Sequence, residues 1–385
     1  MSLSRRSFVA ASAAAVLAPI PLRADDAAGY WVYIGTYTGK DGSKGIYRST
    51  LDAKTGKLSA LELAAEVVSP SFLEIAPNGK TLYAVGEAEG KDGGGVYSWK
   101  LDAKTGALSG MAESISGGAG PCHISTDAAN KFVLVANYGG GSSAVFKLKE
   151  EGSIGKRSSF VQHKEEAGPT ARAPRAPHAH SGFFDATGKL AFVADLGLDQ
   201  VLIYDLDRET GKIAPHDPAS VKMPKGSGPR HIAIAPDQTV MFVCGETDMT
   251  VNLIAMDVKA NKFELKQSLS TTPEGKPTKG GSTAEIRIHP NGRFVYVSNR
   301  GPNSVAVFEY DAKEMKLKAA GHITGEISTP RNFNITPDGN WMLICSQDSA
   351  RVGVYALDEK TGMAKETPNS ITVDRPVCVK FLAKS

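Results

Sequence analysis

The chain has 385 residues, 41% of them hydrophobic and 22% charged, with a formal net charge of +3. This is the composition of a folded globular protein, and its basic residues form no run or stripe, which argues against a nucleic-acid partner. No apolar stretch reaches the ~20 residues a membrane-spanning helix needs, and four cysteines are too few for a disulfide scaffold in a chain this long.

The N-terminus reads as a targeting segment. Ser4-Arg5-Arg6-Ser7-Phe8-Val9 is a twin-arginine motif, an Ala-rich apolar stretch follows from Val9 to about Leu22, and Leu22-Arg23-Ala24 offers a cleavage site. Residues 1–24 are therefore expected to be an export signal, placing the mature chain in the periplasm or outside the cell. Residues 25–385 are expected to form one domain. Length alone suggests two or three domains, but internal repeats argue otherwise.

One unit recurs along the mature chain. It is a short apolar strand, a turn such as Pro77-Asn78-Gly79-Lys80, and a second apolar run such as Leu82-Tyr83-Ala84-Val85. Copies start at Pro70, Pro121, Ala179, Pro229, Thr283, Pro330 and Pro376. A third strand follows, as in Ser304-Val305-Ala306-Val307-Phe308. Then comes a second turn, Leu101-Asp102-Ala103-Lys104-Thr105-Gly106, which recurs at Leu51–Gly56 and Leu357–Gly362, and a fourth strand. Four strands per ~45–50-residue unit describe a β-propeller blade. The copy at Pro376 supplies one strand and stops, while Trp31–Tyr37 resembles a second strand with none before it. The predicted fold is all-β: a seven-bladed propeller of four antiparallel strands per blade, with the C-terminal strand completing the N-terminal blade and covering its edge.

In such a ring the start of each first strand and the end of each second strand lie at the same mouth of the central channel. One position after the repeat start stand Ser71, Cys122, His180, Arg230, Ala284 and Arg331. The next position holds Phe72, His123, Ser181, His231, Glu285 and Asn332. Second strands end in Glu87, Tyr138, Leu196, Glu246, Arg300 and Gln347, preceded in three blades by Asn137, Asp195 and Asn299. Convergent titratable groups in a concavity define a candidate binding site. Each also has a structural reading: Arg–Glu pairs can tie blades together, His123 and His231 can bond backbone between blades, and Asp195 and Asn299 can cap loops. His289, at a far turn, is expected to face solvent. Cys244 and Cys345 read as small core residues. Gly139-Gly140-Gly141 lacks the helix and lysine of a phosphate loop and reads as a tight turn.

These residues resemble a known family. Gly35-Thr36-Tyr37-Thr38, Asn137-Tyr138-Gly139-Gly140-Gly141, Pro177-His178-Ala179-His180, Gly228-Pro229-Arg230-His231, Ala284-Glu285-Ile286, Ser298-Asn299-Arg300-Gly301 and Pro330-Arg331-Asn332-Phe333 occur in order. Together they look like the seven-bladed lactonases, which include propeller-type 6-phosphogluconolactonases and the fungal carboxy-muconate lactonizing enzyme. The resemblance implies catalytic roles for His180, Arg230, Glu246 and Arg300. Gly245 stands where the family usually has asparagine before that glutamate. His123, Asn137, Asp195, His231, Glu285, Asn299, Arg331 and Gln347 are the candidate substrate contacts. Glu246 or His180 would be the base and the other the acid, with the arginines binding an anion or the oxyanion. No cofactor or metal is implied. The expected partner is a small lactone or carboxylate, and the expected state a monomer. Three activities stay open: a sugar-lactone hydrolase, a muconate-type cycloisomerase, and a non-catalytic propeller binding carbohydrate or protein.

Overall fold

The computed structural model describes residues 29–88, 93–164, 176–273, 275 and 277–384. The twin-arginine segment lies outside them. In the described residues each sequence repeat is a four-stranded antiparallel sheet, and there are seven such sheets. Blades 1 to 6 open with Leu73–Ile75, Pro121–Thr126, Ala179–Phe184, Pro229–Ile234, Ser282–Ile288 and Pro330–Ile335. Blade 7 is built from both ends of the chain: Pro376–Ala383 pairs with Tyr30–Thr36, which continues to Gly45–Leu51 and Glu62–Glu66. Each first strand packs on the first strand of the next blade, and contact between Pro376–Ala383 and Leu73–Ile75 closes the ring. No helix among the described residues is long and apolar enough to cross a membrane.

The second strands are covered on both faces by neighbouring blades, and four of them are buried along their whole length. Phe132–Asn137, Leu190–Asp195 and Val240–Gly245 therefore show runs of apolar residues without alternation. The outer strands face solvent on one side and do alternate, as in Lys262–Ser270. All four cysteines are free and buried. His289 corrects the expectation of a solvent-facing side chain. It is 4% exposed, and its Nε2 lies 3.1 Å from the Gly339 carbonyl oxygen of the next blade. A far turn in a propeller still abuts its neighbour.

The recurrent Asp-x-x-Thr-Gly turn has a structural task between blades. Asp102 accepts the backbone N–H groups of Lys104 and Thr105, which shapes the turn. The glycine then closes it in a left-handed conformation, with φ +66° at Gly106. Trp31 of blade 7 lies over that glycine and donates Nε1–H to Ala103 O at 3.0 Å. Trp341 of blade 6 does the same to the Leu51–Gly56 turn, donating to Ala53 O at 2.8 Å. A Cβ on Gly106 would meet the Trp31 ring at 2.5 Å, whereas one on Gly110, at φ +61°, would meet nothing within 4 Å. Gly110→Ala is thus expected to cost about 1–2 kcal/mol for the backbone alone. Gly106→Ala is expected to cost about 1–3 kcal/mol more through overpacking. Equal melting temperatures for the two variants would contradict the packing of Trp31 on Gly106.

Candidate active site

The channel mouth owes its chemistry to a local irregularity repeated around the ring. In blades 2 to 7 the pairing of first and second strands slips near the mouth. In blade 3, Ala179 pairs with Asp195 but Ser181 with Ala194, leaving His180 as the extra residue. Cys122 and Arg331 are left out of register in the same way. Such β-bulges re-aim side chains. Adjacent residues of a regular strand point to opposite faces, yet here Arg230 and His231 both reach the channel.

At the centre lies Glu246, 7% exposed, between two arginines. Its Oε2 is 3.0 Å from Arg230 Nε and its Oε1 is 3.0 Å from Arg300 Nη2. The Arg230 Nε–H is not aimed along the line to the carboxylate, so that contact acts mainly through charge. Arg300 is braced by donating to Thr283 O at 2.9 Å, and Arg230 by donating to Ala284 O. His180 Nε2 stands 3.9 Å from Glu246 Oε2, and its Nδ1 is 3.7 Å from Cys122 Sγ. Across the mouth, Arg331 donates to the Tyr37 hydroxyl at 2.7 Å, which donates to Glu87 at 3.0 Å. A cavity of about 180 Å³ opens here, lined by Glu87, Cys122, Tyr138, His180, Glu246, Arg300 and Arg331. A narrower space continues inward past Phe72, Arg230 and His231. A groove of about 970 Å³ lies far from the mouth, between the Pro236-Asp237 and Pro290–Gly292 turns. Its charged lining residues, among them Asp237, Lys313 and Glu314, are exposed. Volume alone does not give it a comparable constellation.

Of the candidate contacts, Arg331 lines the cavity, and most of the others fall into two groups. His123, His231 and Glu285 lie behind the mouth: the His231 ring is 5.3 Å from His123 and 5.2 Å from His180. Asn137, Asp195 and Asn299 instead brace backbone and neighbouring segments around the mouth. Asn137 donates to Ser142 Oγ at 3.1 Å. Asp195 Oδ1 accepts three backbone N–H groups, from His178, Gly197 and Leu198. Asn299 exchanges hydrogen bonds with Thr271. Gln347 donates to Asp348 at 3.3 Å and does not line the cavity. Blade 4 lacks this loop-binding side chain because Gly245 occupies its place. Asp248 fills the space: a Cβ on Gly245 would meet its Oδ1 at 2.2 Å. Asp248 accepts from Thr250 Oγ1 at 2.7 Å, and burial raises its carboxyl pKa to about 6.

One constellation was invisible in the repeat pattern. Asp195 Oδ2 is 2.6 Å from His163 Nδ1, whose Nε2 is 3.1 Å from Ser143 Oγ. The spacing is that of a nucleophilic triad. However, Ser143 and Asp195 are wholly enclosed and the His163 side chain is 0% exposed. With no route for a substrate, the trio ties blade 2 to blade 3.

Burial also sets the charge of the channel histidines. Desolvation, reinforced by neighbouring cations, holds His123 and His180 well below the usual range. Desolvation lowers His231 to about 4, even though Glu285 pulls the other way. Burial would raise Glu285, but Arg287 and His231 outweigh it and bring it to about 2. Each histidine is folded as the neutral base and takes up a proton on unfolding once pH is below about 6.5. Stability is therefore full above that pH and lost as pH falls towards 4. His231 alone contributes on the order of 3 kcal/mol. The Glu285 contribution has the same sign but is lost only as pH falls from 4.5 towards 2. The melting temperature is expected to drop steadily between pH 7 and pH 4; a flat profile there would contradict the buried neutral imidazoles.

A closed seven-bladed ring with a cationic, histidine-bearing mouth is the architecture of a lactonase, and the chain belongs to that family: the lactonase, 7-bladed β-propeller model matches residues 31–381. Among its relatives is a 6-phosphogluconolactonase of Bacillus subtilis (strain 168), 33% identical over 92% of this chain and 98% of its own length. Another, from Formosa agariphila, carries the same name and is 29% identical over 89% of this chain and 97% of its own. Among solved structures, the periplasmic gluconolactonase PpgL of Pseudomonas aeruginosa has a TM-score of 0.86 at 27% identity, covering 93% of this chain and all of that one.

Proposed function

We propose that this lactonase hydrolyses an unphosphorylated aldonolactone outside the cytoplasm, with His180 as the proton carrier. The observation that carries the reading is the meeting of His180, Glu246, Arg230 and Arg300 beside a cavity of about 180 Å³. That volume is below the ~300–1,000 Å³ of pockets for drug-sized ligands and suits a single sugar ring. Each arginine at the mouth already faces a carboxylate or a phenol, and no lysine is among the residues lining the cavity. Among the described residues, a phosphate dianion would meet no dedicated cation. The twin-arginine motif and the periplasmic gluconolactonase among the structural relatives support the same location and substrate.

In the proposed reaction, water attacks the lactone carbonyl carbon while neutral His180 accepts its proton. Arg230 and Arg300 stabilise the oxyanion that forms. Glu246, paired with both, keeps the guanidiniums in place and steadies the imidazolium. When the bond from the carbonyl carbon to the ring oxygen breaks, His180 returns the proton to that oxygen, leaving an open hydroxy acid.

The test measures proton release from glucono-δ-lactone and from its 6-phosphate, with spontaneous opening subtracted. A kcat/KM at least about tenfold higher for the unphosphorylated ring is expected, equivalent to ~1.4 kcal/mol of transition-state preference. A preference for the phosphate would overturn the substrate assignment, and opening of neither would overturn the reading as a whole. Fractionation of cells producing the full-length chain would decide its location; recovery of uncleaved protein in the cytoplasm alone would count against export.

A further inference from the structure

We infer that Glu285 and His231 form a positioning relay that holds Arg230 in its working orientation. The relay rests on the reading that Arg230 serves the active site.

Glu285 Oε1 is 3.1 Å from His231 Nδ1, and an ionised carboxylate only accepts. Nδ1 must therefore carry the proton. His231 is held neutral by burial, so its Nε2 is a bare lone pair. That lone pair lies 3.2 Å from Arg230 Nη1, which can only donate. The opposite tautomer would set an N–H of the imidazole against an N–H of the guanidinium and lose both bonds. Glu285 thus selects the tautomer, the tautomer supplies the acceptor, and the acceptor fixes the guanidinium whose Nε lies 3.0 Å from Glu246.

Glu285 is itself anchored from three sides. Ile286 N–H donates to Oε1 at 3.0 Å, Asn332 of blade 6 donates to Oε2, and Arg287 lies 3.4 Å from Oε2. Asn332 in turn accepts Val379 N–H of blade 7 at 2.9 Å. The orientation of one blade-4 arginine is therefore referred to blades 5, 6 and 7. Among the described residues, the other charged or titratable groups near His231 are His123, His180 and Arg287, and none takes the place of Glu285 at Nδ1.

The full chain carrying His231→Asn or His231→Gln separates the two ends of the relay. Asparagine keeps a donor near the Nδ1 position for Glu285 but does not reach Arg230. Glutamine places an oxygen near the Nε2 position and restores the acceptor. His231→Asn is expected to lower kcat about 10–100-fold, the range for groups that orient a catalytic shell, with KM little changed. His231→Gln is expected to recover most of that loss. Equal losses in both variants, tracking their melting temperatures, would overturn the relay and leave a purely structural role. Nitrogen-15 spectra of the wild-type imidazoles give a second readout: a His231 protonated at Nε2 would also overturn it. If wild-type protein opens no lactone, the active-site reading fails while the tautomer measurement still decides the relay.

Discussion

Replacing His180 by glutamine is expected to lower kcat for lactone opening by about 10²–10⁴-fold, the usual span for loss of a positioned acid–base group. KM should change little, because the imidazole acts on protons in flight rather than on bound substrate. The expectation rests on the neutral state of His180, 5% exposed at the cavity wall, and on its 3.9 Å separation from Glu246. At that distance there is no direct hydrogen bond in the resting site, so the imidazole remains free to address a water or a ring oxygen. The variant should melt near the wild-type temperature, since the Cys122 thiol at 3.7 Å from Nδ1 is a weak partner and glutamine keeps polar groups at the site. Retention of more than about a tenth of wild-type kcat would remove His180 from the chemistry.

Glu246→Gln should show the opposite balance of effects. The carboxylate is the counter-charge of two guanidiniums, one of them 2% exposed. Breaking a buried ion pair costs about 3–5 kcal/mol, so this variant is expected to melt well below the wild type. Its kcat should fall about 10²–10³-fold, because the oxyanion donors lose the group that aims them. Calorimetry beside steady-state kinetics distinguishes the two residues. Equal melting temperatures for the His180 and Glu246 variants would show that Glu246 is not the keystone of the arginine pair.

The seven blades were legible in the sequence because turn chemistry is local. Asn78-Gly79, Asp338-Gly339 and the Asp102–Gly106 turn each announce a chain reversal through their own residues, and strand pairing follows from the order of reversals. The mouth residues were legible by counting from those turns. Counting cannot, however, say which way a side chain points. Asn137, Asp195 and Asn299 stand near the ends of second strands, yet their side chains turn away from the cavity, Asn137 and Asp195 onto their own loops and Asn299 onto Thr271 beyond the preceding blade's outer strand. Conversely, strict alternation would have discarded either Arg230 or His231. The slip in pairing that admits both comes from contact between strands, and no single residue encodes it. The Ser143–His163–Asp195 trio was hidden for a related reason: His163 follows a fourth strand, where the repeat is least regular, and meets Asp195 only because blade 3 packs on blade 2. Its inertness was still harder to foresee, since enclosure belongs to the assembled ring.

Joining Pro376–Ala383 to Tyr30–Thr36 also has a consequence for biosynthesis. As the chain emerges from the ribosome, Tyr30–Thr36 appears early and waits without its inner neighbour until the six other blades have been made. Domains usually fold as they emerge, N-terminal parts first, but this blade cannot. Throughout elongation it presents an unpaired strand edge, a template for pairing with another nascent chain. Protection of that edge during synthesis must come from a chaperone or from speed, and a stall shortly before codon 376 would release a ring that lacks the strand closing it, with the inner edge of Tyr30–Thr36 open.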